Sequence, residues 1–184
     1  MKKILALAFA AVFALSCLAG CSGGKTEPSS DPTSDPSEVT VEFTCKDKYN
    51  TIVETLGLDI GGEWNDVGDD YMSWLGFDGS EYTDYAGAFK SGNVDVFIIV
   101  NPAEGKAEDA RTILQKQLDT LIGQNENYPG VNKDKVDAGQ VIDTPEGFIA
   151  LCIYGDSDET VENDGGRAAL EPMLAAMKST AYKQ

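Results

Sequence analysis

The sequence predicts an α+β domain of two layers, an antiparallel or mixed sheet of about four strands with helices packed on one face. Three observations carry this. Two pairs of apolar, strand-like runs are each joined by turn chemistry. Helical stripes precede, separate and follow them. The resulting order of helix, hairpin, helix, hairpin, helix brings antiparallel neighbours together without the long crossovers of a parallel sheet.

The folded domain is expected over residues 38–184. Val39, Val41 and Phe43 alternate as a short strand or a lead-in. Thr44 and Asp47 have the spacing of a capping box. Tyr49, Ile52, Val53 and Leu56 then recur at i, i+3, i+4 and i+7, a helical stripe that Gly57 stops. Residues 59–80 are rich in Gly and Asp and read as loop with a short helix over 70–75. Residues 82–90 and 94–100 form the first hairpin about Lys90-Ser91-Gly92-Asn93, and the second of these runs is the most apolar stretch after residue 20, a central strand. Asn101-Pro102-Ala103-Glu104 reads as N-cap, N1 proline and N3 acid, opening a helix with Ala107, Ala110, Leu114, Leu118 and Leu121 or Ile122 inward and its end near Gly123. Residues 136–143 and 147–154 form a second hairpin about Thr144-Pro145-Glu146. Residues 156–167 are acidic and Gly-containing. A last helix is expected over 171–180, with Pro172 in its first turn and Leu174 and Met177 inward.

The N-terminus reads as an address. Lys2 and Lys3 make a short positive region, and 4–15 is an apolar run of Ala, Leu and Phe. The run is shorter than the roughly 20 apolar residues that span a bilayer and has the length of a signal-peptide core. Leu18-Ala19-Gly20-Cys21 follows and resembles the lipobox, in which the cysteine receives a diacylglyceryl group and becomes the new N-terminus. The expectation is a signal peptide over 1–20, lipid attachment at Cys21, and a cell-membrane lipoprotein facing outside. Residues 22–37 are Gly, Ser, Pro, Thr, Asp, Glu and Lys without an apolar side chain and read as a disordered tether. Cys17 leaves with the signal. Cys45 and Cys152 remain in an exported domain, either as a disulfide or as two buried thiols.

Composition excludes several functions. The chain carries 31 acidic and 14 basic side chains, net −17, and loss of Lys2 and Lys3 would make the remainder more acidic still. Such a surface repels nucleic-acid phosphates and anionic lipid headgroups, so no nucleic-acid partner is expected and a lipid must hold the chain at a membrane. There is no histidine, which removes the commonest general base, the Ser-His and Cys-His nucleophile pairs and the commonest zinc ligand.

Tyr71-Met72-Ser73-Trp74-Leu75-Gly76-Phe77-Asp78, Tyr82-Thr83-Asp84-Tyr85, the strand at 95–100, the helix bearing Ala107, Ala110 and Gln117, then Tyr128 and the closing Phe148-Ile149-Ala150-Leu151 carry a resemblance over roughly half the chain. In these positions it resembles the bacterial lipoproteins of domain of unknown function 4358. The resemblance implies a cell-surface lipoprotein and brings no catalytic residue with it.

Three sets of residues are candidates for chemistry. Asp156-Ser157-Asp158-Glu159 with Asn163-Asp164-Gly165 offers hard oxygen ligands, but Thr160 and Val161 stand where an EF-hand loop needs an acid or amide and a glycine. Asp66, Asp69 and Asp70 are a weaker set, and no metal or cofactor is called for. Paired carboxylates roughly 5 to 9.5 Å apart would serve a small envelope hydrolase, without the sequence singling out a pair. Trp64, Tyr71, Trp74, Phe77, Tyr82 and Tyr85 crowd one stretch, and such side chains either pack a core or anchor an interface. They are the candidate ligand-binding surface of a non-catalytic envelope module, its partner an envelope protein, a peptide or a glycan.

Overall fold

A computed structural model describes residues 43–127, 131–155 and 165–180. Helix α1, Cys45–Leu56, begins where expected. The Thr44 side chain accepts from the Asp47 amide, the Asp47 carboxylate accepts from the Thr44 amide, and Gly57 ends the helix at φ 63°. The three-residue strand β1, Trp64–Asp66, and helix α2, Asp69–Leu75, follow. Strands β2, Tyr82–Lys90, and β3, Val96–Pro102, form the first hairpin, then come helices α3, Ala107–Asn125, and α4, Val131–Ala138. Strands β4, Gln140–Asp143, and β5, Ile149–Ile153, form the second hairpin before helix α5, Gly165–Lys178.

The five described strands make one sheet in the order β1-β2-β3-β5-β4, antiparallel at every pairing, so the fold is α+β. The layering differs from the expectation of helices on one face, because helices cover both. On β3, Phe97 and Ile99 face α1 and α5, while Val96, Ile98 and Val100 face α2, α3 and α4. Successive strand residues point to opposite faces, so one uninterrupted apolar run supplies both cores. All five residues of β5 are buried for the same reason. A contiguous apolar strand is the signature of a sheet covered on both sides, and the run at 94–100 carried it.

The two faces are built differently. Ala86, Ala88, Ala150 and Cys152 line the α1/α5 side, and Ile98, Ile149, Leu151 and Ile153 the α3/α4 side. Small side chains let helices approach the sheet closely, and on that side Tyr49, Trp64 and Phe97 fill the remaining space.

Three element boundaries also differ. Asn101 and Pro102 do not open a helix. They extend β3 opposite Asp84 and Tyr82, and Gly105 at φ 74° turns the chain so that α3 starts after Lys106. The ladder overrode a good local capping signal. Val136 belongs to α4, not to a strand, and is buried against the α3 face. Pro172 lies inside α5, which starts at Gly165. Of the lead-in at 39–44, only Phe43 and Thr44 are described.

Among the described residues two lysines are buried. Lys135 of α4 meets Asp95 at 2.7 Å, and the Gly155 amide donates to the other oxygen of that carboxylate at 2.8 Å. Lys48 of α1 donates to the Met177 and Ser179 carbonyls at 3.1 and 2.6 Å and pairs with Glu146 at 3.0 Å. A cation at a helix C-terminus satisfies carbonyls that have no intrahelical partner.

Candidate functional site

The six aromatic residues singled out in the sequence do not form one surface. Trp64 is buried on the α1/α5 side, its ring 6.1 Å from those of both Phe97 and Tyr154. Phe77 is buried on the opposite side against Tyr82. These two are core residues, and the expected contiguous patch loses them. Tyr71, Tyr82 and Tyr85 are half-buried on the α2 side, and Trp74 stands 67% exposed.

Strand β2 and helix α2 bring the remaining four together. Tyr85 and Phe89 lie four residues apart on β2 and share its α2 face. A register shift between Tyr82 and Asp84 puts Tyr82 on that face too, where its ring meets Tyr85 edge-on at 5.3 Å. On α2, Met72 and Leu75 point into the core, and Tyr71 and Trp74, three residues apart, share the outer side. Tyr71 stacks on Phe89 at 4.8 Å and meets Trp74 at 5.5 Å.

An open groove of about 670 Å³ runs beside this stack, lined by Asp66, Gly68, Asp69, Asp70, Tyr71, Trp74 and Phe89. Two phenols fix two of its three carboxylates. Tyr85 Oη donates to Asp69 Oδ1 at 2.5 Å, and Tyr49 Oη donates to Asp66 Oδ1 from beneath the sheet edge. Burial first, and then the neighbouring carboxylate, hold both phenols above the usual tyrosine range, so they remain protonated donors through neutral pH. Burial likewise raises Tyr71 and Tyr82. A carboxylate has about four acceptor positions and each phenol uses one, which leaves both groups able to take further donors.

The weak metal set of the sequence therefore converges, but on a groove wall. Among the described residues no three acids or cysteines come together as a metal cage. The other metal candidate, 156–164, lies outside the described residues. Phe89 was missed as a site residue, though its strand period relative to Tyr85 marks it. Gly68 carried no signal.

Cys45 and Cys152 are free and buried. Cys45 sits beside Asp84, whose register partner is Asn101, whereas Cys152 pairs with Phe97. The β3 positions beside which they sit, Asn101 and Phe97, are four residues apart, about 13 Å along the strand, and the two thiols are not joined. Burial is the main cause that raises both thiols, Cys152 to about 12. Among the described residues no helix is long and apolar enough to cross a membrane.

Searches of known protein families, curated proteins and solved structures found nothing that matches this chain.

Proposed function

We propose that this chain is a lipid-anchored lipoprotein of the bacterial cell envelope that binds a partner without catalysis, through the groove framed by Trp74, Tyr71 and Phe89. The observation that supports the groove is Trp74. An indole left 67% exposed, tilted against a second aromatic ring and bordering an open groove, is a poor contributor to the core and a good interface anchor. Lys2, Lys3, the apolar run and Leu18-Ala19-Gly20-Cys21 support the anchor, which is also what the resemblance to domain of unknown function 4358 would imply; that resemblance says nothing of the groove.

Two experiments test the two halves. Growth of a bacterial host expressing the chain with an alkyne-tagged fatty acid should label it, and Cys21→Ser should abolish labelling. A label that survives Cys21→Ser removes the anchor. Envelope proteins and arrayed glycans are then screened with the chain and with its Trp74→Ala variant. A partner weakened by the substitution supports the groove, and partners that bind both forms equally move the surface elsewhere.

A further inference from the structure

The groove has a charge pattern as well as a shape. Asp66, Asp69 and Asp70 line it with Tyr71, Trp74 and Phe89, and no Lys or Arg is among the lining residues. Three carboxylates thus border an aromatic wall with no basic side chain set among them. The molecule as a whole is net −17, so long-range attraction also favours a positively charged visitor. Aromatic faces attract ammonium and guanidinium groups, Trp most strongly, and the attraction grows when carboxylates stand alongside. The same contact is made within the chain, where Lys46 Nζ lies 3.6 Å from the centre of the Tyr49 ring. A neutral glycan gains stacking from such a wall but nothing from its charge, and an anionic polymer is repelled.

We propose that the groove is a receptor for a cationic peptide segment, a Lys- or Arg-bearing stretch of a partner protein whose ammonium or guanidinium group lies against Trp74 and Tyr71 while Asp66, Asp69 and Asp70 take its donors. The proposal rests on the binding reading above and narrows its partner to one class.

The test is titration calorimetry of the full chain in neutral detergent micelles at low ionic strength. Three probes are used: tetralysine amide, the same peptide with every side-chain amine acetylated, and tetra-N-acetylchitotetraose. Tetralysine should bind, and acetylation should abolish the heat. Trp74→Ala and Asp70→Asn should each weaken binding about threefold to tenfold. Asp119→Asn removes the same charge from the exposed face of α3, remote in sequence from the groove, and should change it less than twofold. Equal weakening by Asp70→Asn and Asp119→Asn means diffuse attraction to an acidic protein and overturns the proposal. Chitotetraose binding that depends on Trp74, without tetralysine binding, overturns the cationic class and keeps the groove. A Kd for tetralysine weaker than about 1 mM overturns the proposal. If the partner screen also finds nothing sensitive to Trp74→Ala, the groove reading falls with it.

Discussion

Lys135 and Asp95 stand almost wholly out of water, and the Gly155 amide completes the carboxylate's shell. Removing one partner leaves a buried charge that nothing compensates, which costs far more than the pair contributes against an apolar replacement. Asp95→Ala is expected to destabilise by about 3–5 kcal/mol, read as a lower urea midpoint with the slope retained. The exposed pair of Lys133 with Asp137 should show no measurable change on Lys133→Ala. If the two variants behave alike, the Lys135 pair is not buried in solution. The thiols give a pH-dependent counterpart. Cys152 is held neutral by burial, its pKa moved from 9.0 to about 12. A raised folded value means that the stability gained from the neutral thiol is complete below 9.0 and drains as pH rises toward about 12. Because the thiolate is the reactive form, Cys45 and Cys152 should resist a thiol reagent in the native chain at pH 8.5 and react at once in denaturant. Native labelling as fast as denatured labelling would show that these positions open.

Strands β2 and β3 approach each other closely at Gly87. A Cβ on Gly87 would come within 2.5 Å of the Phe97 carbonyl oxygen and 3.0 Å of Ile98 Cα, both of them backbone atoms. Gly87→Ala should therefore destabilise by about 1–3 kcal/mol, the cost of overpacking, while Gly123→Ala in α3, whose Cβ meets nothing, should be neutral or stabilising. Thermal midpoints of the two variants check this, and equal midpoints would mean that the strands stand further apart. The elements also show what the sequence could and could not tell. Thr44, Asp47 and Gly57 fix α1 by local chemistry alone, and 82–90 was legible to the residue because hairpin period and turn agree. Asn101 and Pro102 misled because a capping signal is worth about 1 kcal/mol and two more ladder positions opposite Tyr82 and Asp84 outweigh it. β1 was illegible, since three residues have no measurable period. The groove was half legible. Tyr71 and Trp74 announce a shared helix side, but only the fold decides that Trp64 lies under the sheet and that Phe89 and Asp66 meet α2.

For the molecule as a whole, the two tryptophans should separate stability from the proposed recognition. Trp64 fills the α1/α5 core, and Trp64→Ala should cost about 3–5 kcal/mol in denaturant unfolding. Trp74→Ala should change stability by about 0.5 kcal/mol or less, as surface substitutions do. The reverse ranking would mean that the roles of the two indoles are exchanged. Two cores back to back on one sheet also mean that the described sheet faces are taken up by packing, so a binding surface is expected on sheet edges or helix exteriors, where the proposed groove lies. Of the six aromatics singled out in the sequence, only Tyr71 and Trp74 line the groove.

Lys48 ties this architecture to time. It belongs to the first helix, and the carbonyls that receive its ammonium are those of Met177 and Ser179 at the far end of the described chain. A ribosome makes the donor long before the acceptors, so a half-made chain holds a cation whose burial site does not yet exist. Of its partners, the Glu146 carboxylate is made first, and the two carbonyls come last. Chains halted after Ala176 should accordingly remain protease-sensitive across α1, and Lys48→Met, which removes the charge and keeps the apolar stem, should restore part of their protection.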